Sequence, residues 1–177
     1  MTTGPQATIQ IRQYRPEDHA QVTKIYVEGM LTFDPNPEYH YLWEQVLIKD
    51  LTNDFADIEA SHMAPGGNFL VAVVKKDGSS KIAGIIGLLR ESEDVGQIRR
   101  VYVDPNFQRM SIGRKMIAEL EIWAEQNGIK SIYLTTDAYK EQPQAFYTAL
   151  GYTKVDENQY NWTNPRYLRL FKFVKQL

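Results

Sequence analysis

The run Val101-Tyr102-Val103-Asp104-Pro105-Asn106-Phe107-Gln108-Arg109-Met110-Ser111-Ile112-Gly113-Arg114-Lys115-Met116 is the part of this sequence best suited to chemistry. Three β-formers, an Asp-Pro-Asn turn and helical spacing after it read as a strand, a tight turn and the start of an amphipathic helix. The first amides of a helix have no acceptor inside it, so a turn of little bulk leaves them aimed at whatever lies above the helix start. An anion is the natural guest. With Arg109, Arg114 and Lys115 nearby, a pyrophosphate would gain charge-assisted hydrogen bonds of roughly 1.5–3 kcal/mol each and roughly 0.3–1 kcal/mol from the helix dipole. A run of this kind also makes an ordinary strand-to-helix turn, so the reading depends on what the rest of the chain builds around it.

The chain has 177 residues, which suits one domain over 1–177 with a full core, Met1–Thr8 being expected to be flexible. With 20 basic and 22 acidic side chains and a formal charge of −2, no global field draws it to nucleic acid or to an anionic bilayer. It has no cysteine, which removes disulfides, thiolate metal sites and a cysteine nucleophile. The longest apolar run, Ile82 to Leu89, is far shorter than the roughly 20 residues of a membrane span. Met1–Thr8 has neither the basic start nor the apolar stretch of a secretory signal, and the expected location is the cytoplasm, with the nucleus left open.

Alternation at Ile9 and Ile11 predicts a strand, and Pro16-Glu17-Asp18 starts a helix that runs to about Met30. Phe33-Asp34-Pro35-Asn36-Pro37 breaks the chain, helical spacing resumes from Glu38 to Leu51, and the acidic stretch from Asn53 to His62 is expected to be helical too. After the Pro65-Gly66-Gly67 breaker, Phe69–Val74 and Ile82–Leu89 make a hairpin across Asp77-Gly78, and Gln97–Val103 adds a third antiparallel strand. Hairpins then give way to crossovers. Ile112, Met116, Leu120 and Trp123 share one helical face closed by Gly128, Ile129–Thr135 is a parallel strand, Gln142–Leu150 a short helix, and Gly151–Val155 and Tyr167–Val174 the last strands. The predicted class is α/β (α+β): a three-layer sandwich whose mixed, mostly antiparallel central sheet is flanked by helices.

Gln108-Arg109-Met110-Ser111-Ile112-Gly113 resembles the Q/R-x-x-G-x-G/A signature of the GNAT superfamily of acyl-CoA-dependent N-acetyltransferases, with Ser111 standing where the family usually has its first glycine. Ala145-Phe146-Tyr147-Thr148-Ala149-Leu150-Gly151-Tyr152 is similar to the family's F-Y-x-x-L-G-F/Y motif, and the order of elements resembles the GNAT fold over nearly the whole chain. Asp57-Ile58 with Pro65–Ala72 and Gln97–Val103 resembles the camello-like branch, whose members often carry a membrane-associated segment.

The resemblance implies acetyl-CoA as acyl donor and an amine-bearing small molecule or peptide as acceptor. Nucleic acid and membranes are not expected as partners, and monomer and homodimer both remain open. It implies that the backbone of Val101, Tyr102 and Val103 pairs with the pantetheine arm, and that Gln108, Arg109, Met110, Ser111, Ile112, Gly113 and Arg114 cradle the pyrophosphate. Tyr147 falls where the family's tyrosine protonates the departing thiolate. A phenol of pKa near 10 is protonated at neutral pH, and the anion of a thiol near 8.5 is base enough to take the proton in the transition state. As a packing residue Tyr147 would need no such role.

Departures bear on the same site. Lys140 and Pro143 stand where many members have asparagine and alanine, and Gln97 where some relatives have a glutamate base. An alkylamine is neutral in only about one molecule in 2500 at pH 7, a cost of roughly 4.6 kcal/mol, so a base or a water relay is required. Glu91, Glu93, Asp94 and Asp137 are candidates by neighbourhood, against ordered water as the preferred route. His19, His40 and His62 lack metal-ligand spacing, and no metal is expected. Tyr39, His40, Tyr41 and Trp43, and again Asp156, Glu157, Tyr160 and Trp162, are candidate acceptor walls, although helix packing and a solvated loop account for most of them. The alternative to an enzyme is a non-catalytic acyl-CoA sensor, for which Gln97 and Ser111 are the supporting features.

Overall fold

The hairpin and crossover patterns fold as their periodicities require, with most boundaries set by local capping. The computed structural model describes residues 7–32, 37–161 and 167–177. Its elements are β1 (Thr8–Gln13), α1 (His19–Leu31), α2 (His40–Thr52), β2 (Asn68–Lys76), β3 (Ser79–Arg90), β4 (Val95–Val103), α3 (Ile112–Gln126), β5 (Ser131–Asp137), α4 (Glu141–Ala149), β6 (Thr153–Asn161) and β7 (Tyr167–Gln176). The seven strands run in the order β1-β2-β3-β4-β5-β7-β6, with β4 and β5 parallel and the β1–β2, β2–β3, β5–β7 and β6–β7 pairs antiparallel. Two compact units divide the chain, Met1–Leu89 with Arg99–Leu120 and Arg90–Ile98 with Glu121–Leu177, so β4 and α3 each contribute to both.

In the first unit, Phe69, Val71 and Val73 of β2 and Ile82 and Ile85 of β3 pack with Val22, Ile25 and Tyr26 of α1, Leu47 of α2, and Phe55 and Ile58 beyond it. On the opposite face α3 lies so close to β3 that a Cβ on Gly84 would come within 2.9 Å of Ile112 Cγ2. Helices therefore cover both faces of this part of the sheet. The entry to α1 is fixed by Asp18, which accepts from both Arg12 terminal nitrogens at 2.6 and 2.8 Å and from the Arg15 amide at 2.9 Å. Asp77 and Gly78 take the left-handed conformations (φ 51° and 75°) that a two-residue hairpin turn needs.

Four expectations are corrected. Asn53–His62 is not one helix: α2 stops at Thr52, and Asp57 accepts from the Ala60 amide at 2.9 Å to open a separate π-helical turn at Glu59–Met63. β4 starts at Val95 rather than Gln97, because Val95 O takes the Glu91 amide at 2.9 Å and tightens the preceding turn. β5 starts at Ser131, since Ile129 instead closes α3, its amide reaching Ala124 O at 2.9 Å while Gly128 (φ 83°) reaches Glu125 O. β6 starts at Thr153 for the same reason, with Gly151 (φ 88°) and Tyr152 bonded back to Thr148 O and Tyr147 O, and extends to Asn161. Within the stretch expected to be flexible, Thr8 pairs with Lys75, and residues 1–6 lie outside the described residues, as do 33–36 of the predicted chain break.

In the second unit β7 pairs with β5 from Asp137↔Leu170 to Ser131↔Gln176 and with β6 on its other side. Tyr147 of α4, Tyr152 and Phe173 of β7 form a buried aromatic group, with Tyr147 5.9 Å from the Tyr152 ring and 6.4 Å from that of Phe173. Glu121 accepts from Tyr152 Oη and from Lys175 Nζ, both at 2.7 Å, which ties the end of α3 to this group. Burial and the adjacent carboxylate push the Tyr152 phenol well above its ordinary pKa.

Candidate active site

The turn between β4 and α3 starts at Asp104, whose Oδ1 accepts from the Asn106 amide at 2.9 Å and from Asn106 Nδ2 at 2.8 Å, while Lys81 reaches Oδ2 at 3.2 Å. Burial works against this carboxylate, but those bonds outweigh it and hold its pKa below the ordinary range. A short 3-10 turn at Pro105–Phe107 follows. Arg109 (φ 66°) and Ser111 (φ 56°) then both adopt the left-handed conformation. The resemblance places a glycine at 111, and the backbone supplies the reason, since a Cβ there costs roughly 1–2 kcal/mol. The first helical amide bonded back to the chain is that of Lys115, on Ser111 O at 3.0 Å. Among the described residues none accepts from the amides of Ile112, Gly113 and Arg114, which lie ahead of it. Ile112 is buried and anchors the helix start, while Gln108, Arg109, Ser111, Arg114 and Lys115 are exposed. The helix start thus offers three amides without an acceptor among the described residues, beside the exposed side chains of Arg109, Arg114 and Lys115.

Strand β4 holds a group that the sequence reading missed. Arg100 sits at φ 58° in mid-strand, and its guanidinium is buried between α1 and the residues around the end of α2. Nη1 lies 2.9 Å from Asp50 Oδ2 and donates to Tyr26 Oη at 3.2 Å, and Nη2 donates to Asp54 Oδ2 at 2.8 Å. Tyr26 Oη in turn donates to Asp50. The guanidinium lies 5.1 Å from the Tyr26 ring centroid and 5.8 Å from that of Phe55, and those two rings stack at 4.2 Å. Burial disfavours the Arg100 charge, but Tyr26, Asp54 and Asp50 outweigh it and its pKa rises. Asp54 moves the other way: burial raises it, while the Arg100 bond and the charge of Arg99, 3.5 Å away, bring it below the ordinary range. The only signal in the sequence was the close spacing of Asp50 and Asp54; strand alternation would put Arg99 and Arg100 on opposite faces, yet both reach Asp54, at 3.5 and 2.8 Å, because the left-handed backbone at Arg100 breaks that alternation.

Val101, Tyr102 and Val103 follow directly, all half-buried. α1 approaches Tyr102 so closely that a Cβ on Gly29 would lie 2.2 Å from its Cδ1. Tyr102 Oη donates to Met30 Sδ at 3.1 Å, and burial pushes the phenol up to about 12. These contacts fix the side chains and leave the role of the backbone untouched.

In the second unit Tyr147 is buried on the inner face of α4, next to Phe146, Tyr152 and Phe173. Lys140 has extended backbone at the start of α4, and Pro143 falls in its first turn, where a missing amide costs nothing. Asp137, at the end of β5, accepts from the Tyr139 amide at 2.9 Å and is buried. Glu91 and Glu93 lie exposed in the β3–β4 turn, and Asp94 accepts from Ser92 Oγ at 3.3 Å there. Gln97 sits in β4 opposite Tyr133 of β5.

Of the histidines, His19 Nδ1 is 3.2 Å from Tyr14 Oη, His40 is exposed, and His62 is completely buried. Ser61 Oγ donates to Asp54 O at 2.7 Å, so the His62 Nδ1 that it meets at 2.8 Å must carry the proton, leaving Nε2 as a bare acceptor. That atom has no partner among the described residues and lies against Gly87 of β3. Among the described residues no group of three or more histidine and carboxylate side chains could hold a metal ion. Of the second acceptor wall, Trp162 and the side chains of Glu157 and Tyr160 lie outside the described residues. No helix among the described residues is long and apolar enough to cross a membrane.

The Acetyltransferase (GNAT) family model matches residues 30–152, and the chain belongs to that family. It is an acetyltransferase with the mixed α/β fold of that family. The chain is 25% identical to N-acetylaspartate synthetase of Danio rerio, over 88% of its own length and 70% of the relative's. It is 20% identical to N-acetyltransferase 8F1 of Rattus norvegicus, over 93% and 91%. This bears out the camello-like resemblance. The PaiA N-acetyltransferase of Thermoplasma acidophilum, solved in complex with coenzyme A, superposes with a TM-score of 0.70 at 19% identity, covering 96% of this chain and 99% of that one. Nothing in these comparisons favours a non-catalytic sensor.

Proposed function

We propose that residues 1–177 form one acetyltransferase domain that moves the acetyl group of acetyl-CoA directly to a primary amine of a small molecule or peptide, in the cytoplasm. The observation that carries this reading is the set of amides at Ile112, Gly113 and Arg114 ahead of the first back-bonded amide of α3, on a turn bent by left-handed Arg109 and Ser111. Such amides suit a pyrophosphate, and Arg109 and Arg114 add charge without occupying the turn. The donor supplies an activated thioester. Gln108–Arg114 hold its pyrophosphate, and the backbone of Val101–Val103 holds its pantetheine arm and steadies the carbonyl oxygen as charge develops there. The acceptor nitrogen forms a bond to the carbonyl carbon and the carbon–sulfur bond breaks. Tyr147 gives its phenolic proton to the departing sulfur, and the proton lost by the amine leaves through ordered water and restores the phenol.

The acceptor panel begins with aspartate, because a relative bears the name N-acetylaspartate synthetase, and extends to other amino acids, peptides, polyamines and aminoglycosides. Titration calorimetry with acetyl-CoA and a thiol-release assay over that panel test the reading. Binding with turnover on at least one amine is expected, and absence of acetyl-CoA binding refutes it. Tyr147→Phe is expected to lower turnover roughly 10²- to 10⁴-fold with the acetyl-CoA dissociation constant little changed. Unaltered turnover removes Tyr147 from the chemistry.

A further inference from the structure

A left-handed residue inside a strand breaks the two-residue alternation and turns the peptide that follows out of its ladder. Glycine meets that requirement without strain, yet position 100 holds an arginine at φ 58°. Something outside the strand must hold it there. Asp50 at 2.9 Å and Asp54 at 2.8 Å fix the two ends of the guanidinium fork, and Tyr26 contributes a hydroxyl at 3.2 Å. The Tyr26 and Phe55 rings confine its faces. All four partners belong to α1, the end of α2 and the turn after it, so the strand is pinned from a different layer of the fold. The residue after Arg100 is Val101, where the backbone proposed to bind the donor begins.

We propose that Arg100 is a positioning residue whose anchorage by Asp50, Asp54 and Tyr26 holds β4 in the bent shape that presents the Val101–Val103 backbone to acetyl-CoA. This rests on the donor-binding role assigned to that segment above. The arginine touches neither substrate. It acts through the main chain, as a clamp that sets the conformation before the donor arrives and so spares the binding step that ordering cost.

The alanine and glycine variants separate this from a purely structural role. Both remove the guanidinium and leave the same carboxylates unpaired, so they differ only in how readily position 100 becomes left-handed. The left-handed penalty for a residue with a Cβ corresponds to roughly a five- to thirtyfold factor. Arg100→Gly is therefore expected to exceed Arg100→Ala by about that factor in acetyl-CoA affinity by calorimetry and in kcat/KM for acetyl-CoA, with wild type above both. If Arg100 only stabilises the fold, the two folded variants bind acetyl-CoA alike and differ in melting temperature alone, glycine being free of the left-handed penalty. An Arg100→Ala equal to or better than Arg100→Gly overturns the inference. Should either variant fail to fold, Asp54→Asn keeps the arginine and weakens one anchor. It is expected to raise the acetyl-CoA dissociation constant several-fold, and an unchanged constant in a folded Asp54→Asn overturns the inference as well. Wild-type protein that does not bind acetyl-CoA at all overturns the donor-binding reading together with this one. Wild type that binds, with glycine and alanine variants indistinguishable, overturns the clamp alone.

Discussion

His62 makes acid sensitivity a quantitative consequence of the fold. Its ring is completely buried against Phe69 and Gly87, and burial lowers its pKa from 6.5 to about 4, with Arg99 and Arg100 opposing the protonated form and Asp54 favouring it. In the unfolded chain the ring binds a proton near pH 6.5, whereas in the folded protein it does so only near 4. The unfolded state therefore holds more protons throughout that window. Stability from this group is complete above pH 6.5, falls as pH drops toward 4, and falls no further below it. Between pH 7 and pH 4.5 the loss is on the order of 2 kcal/mol, from 1.36 kcal/mol per pKa unit and those two pKa values. With a urea slope near 2 kcal/mol/M, the midpoint moves down by about 1 M. Asp18, Asp54 and Asp104, held below their ordinary pKa, lose their contributions at lower pH and stay outside this interval. The assay is urea unfolding at the two pH values for wild type and His62→Gln, which cannot titrate. The reasoning predicts a markedly smaller pH effect in the variant. Parallel losses in both proteins would refute it.

Further outcomes follow from close contacts and backbone conformations. Ser111→Gly relieves a left-handed serine and is expected to stabilise by about 0.5–1 kcal/mol after the entropy of glycine is subtracted, read as a rise of roughly 1–4 °C in Tm; a fall would mean that the serine hydroxyl holds the turn. Gly29→Ala puts a Cβ 2.2 Å from Tyr102 Cδ1, in a ring packed against Tyr26, and is expected to cost roughly 1–3 kcal/mol. A near-neutral melt would show that Tyr102 moves freely. Tyr152→Phe removes one of the two bonds to Glu121 and is expected to cost about 1–3 kcal/mol in chemical unfolding.

The fold was legible wherever a local rule governed it. The Asp77-Gly78 hairpin, the breaker at Pro65-Gly66-Gly67 and the glycine end of α3 follow from backbone conformations that few other residues adopt. The boundary errors arose in the same places: Ile129 and Tyr152 look like strand residues by type but are spent closing helices through bonds to Ala124 O and Tyr147 O. The cradle was legible because a helix start exposes amides whatever the side chains are. The serine at 111 could be read as a departure from a motif, but its left-handed backbone could not.

By itself the sequence determined the succession of elements, the turn that exposes the amides of Ile112–Arg114 and the family to which the chain belongs, since these depend on residues within a few positions of one another. The tertiary structure alone decided that Arg100 turns inward onto Asp50 and Asp54, that Tyr102 shuts against Gly29, and that His62 is neutral with a bare Nε2. Each of these joins residues dozens of positions apart. Burial, which sets the strength of charges and the cost of leaving them unpaired, exists only once the layers have closed over them.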